Sequence, residues 1–214
     1  QDGRTLYPGT GFTNEIGGPL AQGYTINIPL PPGTGDKGIN YVLENLVLPI
    51  LEDFKPDLIV NSAGQDNHYT DPLANMRFSA RGYAELNRRL APDIAVLEGG
   101  YSVETALPYI NMGIIMAMAG IDYGYLYEPD YRPELAQEER ASMQSIERTI
   151  ETLQRTWQNR NRLIEEARGK WDQFYQVRKP IFYDTDGIQE EQLEILRMCT
   201  DCSGYLTIDS RAIG

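Results

Sequence analysis

Imidazole and thiol groups are scarce in this chain: one histidine, His68, and two cysteines in 214 residues. A structural zinc site is excluded on that count. Cys199-Thr200-Asp201-Cys202 could supply half of one, but no further cysteine and only one distant histidine exist to complete four ligands. The pair also follows a predicted helix instead of opening one, so no helix dipole lowers a thiol pKa for redox work. Two neighbouring cysteines behind no secretory leader point to a reducing, cytoplasmic setting rather than a disulfide framework. Positive charge is equally short. With 19 basic against 31 acidic residues the net charge is −12, which opposes a hold on a phosphate backbone and excludes nucleic acid as a direct ligand. Such a surface keeps a protein soluble and suits a cationic substrate. No apolar run is long enough to span a membrane: the longest, Ala106 to Ile121, is interrupted by Pro108 and Asn111 and reads as a core helix. No Gly-Lys-Ser or Gly-Lys-Thr occurs, so a phosphate loop is absent. The sequence opens on Gln1 with no element of its own, as expected of a fragment or a processed product.

What is present is an ordinary globular composition, 41% hydrophobic and 23% charged. Short β-rich runs alternate with helical ones as far as about residue 121, the pattern of an α/β domain with a mainly parallel sheet. Strands are expected at Tyr24–Ile28, Leu58–Val60 and Ile94–Leu97, the last two as continuous apolar runs covered on both faces. Helices are expected near 40–54, 79–90 and 103–120. In such sheets ligands bind beyond the carboxyl ends of the strands. After Tyr127 the character changes, and a charged helical stretch is expected to run to about Val177. Within it Met143, Ile146, Ile150, Leu153, Trp157, Arg160, Ile164, Ala167, Trp171 and Phe174 form a seam at 3–4 spacing. This seam, 143–174, wants a partner helix, either within the chain or in a second copy. The tail reads as strand, helix, strand over 181–183, 189–198 and 205–208. Three segments result: 1–127, 128–178 and 179–214.

Gly33-Thr34-Gly35-Asp36-Lys37-Gly38 matches a dinucleotide-binding turn, yet Pro31 and Pro32 part it from the preceding strand, where a tight turn is required. The strand ends carry more. One leads into Ser62-Ala63-Gly64-Gln65-Asp66, and a carboxylate there lies in the ligand crevice. The other ends in Glu98-Gly99-Gly100-Tyr101, where paired glycines let the backbone turn and present a tyrosine hydroxyl at the same sheet edge.

Taken in order, Tyr7-Pro8-Gly9-Thr10-Gly11, Asn27-Ile28-Pro29-Leu30, Ser62-Ala63-Gly64-x-Asp66, Asp71-Pro72-Leu73 and Glu98-Gly99-Gly100-Tyr101 resemble the second half of the histone deacetylase and acetylpolyamine amidohydrolase family, over roughly residues 1 to 121. The resemblance implies a partial three-layer arginase-deacetylase fold, α/β with a mainly parallel sheet, followed by a C-terminal helical extension. It implies one catalytic zinc at the strand ends, held by two aspartates and a histidine, and structural monovalent cations besides. Asp66 matches the second zinc aspartate, and Tyr101 the catalytic tyrosine that polarises the substrate carbonyl. Tyr7 falls where an aromatic lines the substrate tunnel, and Gly99 and Gly100 leave room for it. Leu73 stands at the rim where a polyamine-selective member would carry glutamate, which favours acyl-lysine-like substrates. The family's first half should supply an Asp-x-His zinc pair and two adjacent histidines for acid-base work. His68 lies at none of those positions and is expected to be a loop residue. The expected function is thus a zinc-dependent amidohydrolase acting on acylated amines and completed by an N-terminal half on the same or another chain. A noncatalytic scaffold assembling through the long helix, and a dinucleotide-binding protein, are the competing readings.

Overall fold

The computed structural model describes every residue except 1–2, 4–8, 137, 171–173, 184–185, 200–203 and 214. The chain divides into two compact units: Leu30–Glu151, and the chain on either side, up to Pro29 and from Thr152 onward. The division falls away from the change of composition near residue 127.

The Leu30–Glu151 unit opens with α1 (Asp36–Val42), which continues through a π-helical turn, Leu43–Val47, into α2 (Leu48–Phe54). Pro49 accounts for the turn, because it has no amide hydrogen to give the carbonyl of Asn45 and the helix widens ahead of it. Strand β1 (Val60–Ala63) pairs in parallel with β2 (Ile94–Leu97), Ala63 opposite Leu97. Between them runs α3 (Ala80–Leu90), and α4 (Leu107–Met118) follows. Helix α3 is firmly started: Ser79 Oγ accepts the Gly82 N–H at 2.9 Å, and Glu128 Oε2 accepts the Ala80 N–H at 2.7 Å. Asp36 in turn accepts the Ser79 N–H and hydroxyl at 2.9 and 2.6 Å. Burial holds the Asp36 carboxyl above its ordinary range in spite of both bonds. Helices α3 and α4 pack through small residues. A Cβ on Gly113 would stand 3.0 Å from the Ala80 carbonyl oxygen, so only glycine admits this approach. Ala80, Ala84, Ile110, Ile114 and Leu126 are buried around it.

Two expectations change in this unit. The strands are not covered on both faces: Val60, Ile94 and Val96 are each about half exposed and Leu97 is 72% exposed. Parallel sheets are usually covered on both faces by helices or further strands, and among the described residues these two strands are not. On α4, likewise, Met112, Ile115 and Met118 lie exposed opposite the buried Ile110 and Ile114.

In the second unit Tyr24–Ile28 is not a strand. Turns at Gly23 and Tyr24, and the Asn27 amide donating to the Phe12 and Glu15 carbonyls at 3.3 and 3.0 Å, hold it as a loop. Helix α5 (Arg140–Gln158) begins in the first unit and ends in the second, breaking at Asn159 before α6 (Arg160–Lys170). Of the seam, Ile146, Ile150, Leu153 and Trp157 are buried within the chain. Arg160 belongs because its guanidinium lies 3.9 Å from the Trp157 ring centroid, while Tyr24 meets that ring edge-on at 5.7 Å. Trp171 falls outside the described residues. Phe174 is no longer helical: it starts β3 (Phe174–Tyr183), which pairs antiparallel with β4 (Ile188–Arg197), itself paired with β5 (Tyr205–Ile213). The helix expected at 189–198 is thus a strand. Its Glu, Gln and Leu residues favour helix one by one, but a partner on each side pairs its backbone along its length, and Arg178–Glu191 and Lys179–Glu194 contacts cross the β3–β4 pair. Cys199 lies half-buried past the end of β4, and Cys202 is outside the described residues.

Candidate functional site at the strand ends

In-register pairing of Ala63 with Leu97 sends the loops after β1 and β2 out from one edge of the sheet. They are stitched together at once: the Gln65 N–H donates to the Gly99 carbonyl at 2.5 Å, and the Ser62 hydroxyl to Glu98 Oε2 at 2.9 Å. The Asp66 carboxylate packs closely over Gly99 and lies in ordinary contact range of Gly64. A Cβ on Gly99 would come within 3.1 Å of Asp66 Oδ2, and one on Gly64 within 3.4 Å of Oδ1 and 3.5 Å of Glu98 Oε2. Burial pushes the Asp66 carboxyl above its ordinary range, and the nearby charges of Asp71 and Glu98 push the same way.

Gly100 turns the chain with φ 153°, and a Cβ there would stand 2.9 Å from Gln65 Cβ and 2.8 Å from Leu107 Cδ2. Tyr101 follows, 53% exposed. Its N–H donates to Asp71 Oδ2 at 2.8 Å, while Asp71 Oδ1 accepts the Leu73 N–H at 2.9 Å. One carboxylate therefore clamps the backbone of Tyr101 to that of Leu73, which is 59% exposed at the rim. The structure brings Asp66, Leu73, Gly99, Gly100 and Tyr101 to one place; Tyr7 lies outside the described residues.

Residues to which the sequence assigned no role in the site support this edge. His68 sits in the loop as expected but is fully buried, Nε2 lying 2.7 Å from Glu128 Oε1 and Nδ1 2.9 Å from Thr70 Oγ1. Gln65, also buried, gives its amide to Asn111 of α4 at 2.6 Å. Glu128 has no strand-end signature and is distant in sequence, so no local pattern could have paired it with His68.

Zinc does not fit the described residues alone. Asp66 and His68 have the Asp-x-His spacing, yet both imidazole nitrogens are engaged by Thr70 and Glu128 and cannot also ligate. Among the described residues no three His, Cys, Asp or Glu side chains are placed to share an ion. The glycine-rich turn before α1 is occupied as well. Glu138 Oε1 accepts the Gly35 and Gly38 N–H groups at 2.7 and 2.5 Å, where a pyrophosphate would have to sit. A cavity lined by Asp36, Arg81, Glu85, Arg88 and Tyr123 lies at α3 and α4 instead of the strand ends, and its arginines are already bonded to Glu85, Tyr123 and the Gly124 carbonyl. No helix of the described residues is long and apolar enough to cross a membrane.

Two solved structures identify this α/β fold as the arginase-deacetylase one. The HDA15 HD domain superposes with TM-score 0.61 at 25% identity, covering 79% of this chain and 46% of that one. The histone deacetylase Clr3 gives TM-score 0.61 at 21% identity, a likeness of fold. The histone deacetylase domain matches residues 1–115, more than half of the chain, which therefore belongs to the histone deacetylase family. A probable deacetylase of Archaeoglobus fulgidus is 50% identical over 161 residues, covering 70% of this chain and 45% of its own length. Histone deacetylase 14, chloroplastic, of Arabidopsis thaliana is 43% identical over 114 residues, 49% of this chain and 26% of that protein. Seventy per cent is more than residues 1–127 make up of 214, so the likeness continues into the helical stretch and does not end near residue 121. The chain spans less than half the length of these relatives.

Proposed function

We propose that this chain contributes half of the active site of a zinc-dependent amidohydrolase that removes acyl groups from acetyl-lysine-like amines. The observation that carries the reading is the Asp71 clamp, which fixes Tyr101 at the sheet edge that holds the Asp66 carboxylate. Tyr101 donates its phenolic hydrogen to the substrate carbonyl oxygen as negative charge develops there, and a donor fixed in advance needs no reorganisation at that moment. Asp66 supplies one carboxylate to the zinc. The other ligands and the acid-base histidines come from the N-terminal half of the deacetylase domain, on the same chain or a separate one. That half covers the exposed apolar faces of β1, β2 and α4. Leu73 forms the rim and, having no charge, favours an acyl-lysine stem over a polyamine; Gly99, Gly100 and Tyr7 line the tunnel. The surface charge of −12 suits a cationic amine substrate and not nucleic acid. A cytoplasmic setting is in keeping with the two neighbouring cysteines.

Removing only the phenolic oxygen tests the assignment. In the complete enzyme, Tyr101→Phe should lower kcat on an acetyl-lysine peptide about 100-fold or more with KM changed little. Unchanged turnover would sink it. The lack of a complete metal site among the described residues favours one rival, a noncatalytic scaffold. That rival predicts an intact assembly without zinc and without amidase activity.

A further inference from the structure

Beyond the Asp71 clamp, a file of hydrogen bonds runs from the interior to the residue after Tyr101. It begins at Glu128, buried with His68, and one carboxylate spans two elements: Oε1 faces His68 Nε2 and Oε2 accepts the Ala80 N–H. The imidazole is oriented without ambiguity. The Thr70 backbone N–H reaches Nδ1 at 3.3 Å and can only donate, so Nδ1 accepts and the ring proton lies on Nε2, directed at Glu128. The Thr70 hydroxyl, 2.9 Å from the same Nδ1, donates as well. Its oxygen is left to accept from the Ser102 hydroxyl at 2.8 Å, and Ser102 accepts from Thr105 at 2.5 Å. Every bond in the file then has one direction. The Ser102 carbonyl is held from the other side by the Ala106 and Leu107 N–H groups at the start of α4, at 3.0 and 3.2 Å.

Tyr101 thus lies between two anchored points, its own N–H on Asp71 and the following residue on Thr70. We propose that Thr70 is a positioning residue for the hydrolytic reaction: set by the buried His68–Glu128 pair, its hydroxyl holds Ser102 and so fixes the direction in which Tyr101 presents its phenol. This rests on the assignment of Tyr101 as the group that meets the substrate. The side chain itself touches neither substrate nor metal. A misplacement of about 1 Å at a reacting group can cost on the order of 100-fold in rate, which is ample for one lost tether to be measurable.

In the complete enzyme with an acetyl-lysine peptide, Thr70→Val, close in shape but without the hydroxyl, should lower kcat about 10-fold or more and leave KM within about twofold. Thr70→Ser should restore kcat. In the Tyr101→Phe background Thr70→Val should cost nothing further, because it acts only through the phenol. A proportionate loss in both backgrounds, or wild-type kcat in Thr70→Val while Tyr101→Phe remains impaired, overturns the positioning role and leaves the deacetylase reading standing. An unimpaired Tyr101→Phe removes that reading, and this proposal with it. Should Thr70→Val not fold, Ser102→Ala cuts the file outside the buried pair and is held to the same three comparisons.

Discussion

Asp71 joins two amides that are far apart in sequence, those of Leu73 and Tyr101, through its two carboxylate oxygens. Charge-assisted bonds of this kind are stronger than neutral ones, and their loss leaves both donors to water or to nothing. Asp71→Ala should therefore lower kcat on an acetyl-lysine peptide at least about tenfold, with a modest fall in thermal midpoint, because the clamp is partly open to solvent. Retention of wild-type kcat would show that Tyr101 is held by other means. At this scale the sequence placed Asp66 and Tyr101 in the loops after β1 and β2, where the structure has them, since strand-end loops with glycines are local patterns. It could not announce Glu128, Thr70 or Ser102. The worth of each lies in a partner brought near only by folding, and a buried histidine reads in sequence like any loop histidine.

Helix α3 shows the same division between local and tertiary causes. Ser79 ahead of it is a recognisable cap, and the helix starts where the sequence places it. Gly82 inside its first turn is a local defect, and by helix propensity alone alanine there should stabilise by about 1 kcal/mol. The structure reverses that sign. A Cβ at Gly82 would fall 1.8 Å from Asp36 Oδ1, the carboxylate that holds Ser79. Gly82→Ala should accordingly lower the thermal midpoint by several degrees, and a rise would show that Asp36 is not needed to start the helix. Strand β4 departs from its local pattern for a related reason: Ile188–Arg197 is rich in helix formers, and only pairing with β3 and β5 overrides them. The seam of α5 was legible, and its leading residues Ile146, Ile150 and Leu153 are buried as an apolar stripe should be.

For the molecule as a whole, the α/β class and the family were readable because motifs at successive strand ends keep their order and spacing. The exposure of β1 and β2 was not, since an apolar parallel strand looks the same whether or not its neighbours are present. Half-exposed Val60, Ile94 and Val96, a single histidine already engaged by Glu128 and Thr70, and relatives more than twice as long as their matched part describe one condition. On the proposed reading the chain presents one carboxylate, one tyrosine and a rim, and the other half of the domain completes the chemistry. The most direct test is acetate release from an acetyl-lysine peptide by residues 1–214 alone, and by the same residues joined to the first half of the domain. No turnover alone and zinc-dependent turnover when joined is the predicted result; comparable turnover by the 214 residues alone, or none from the joined protein, would contradict it.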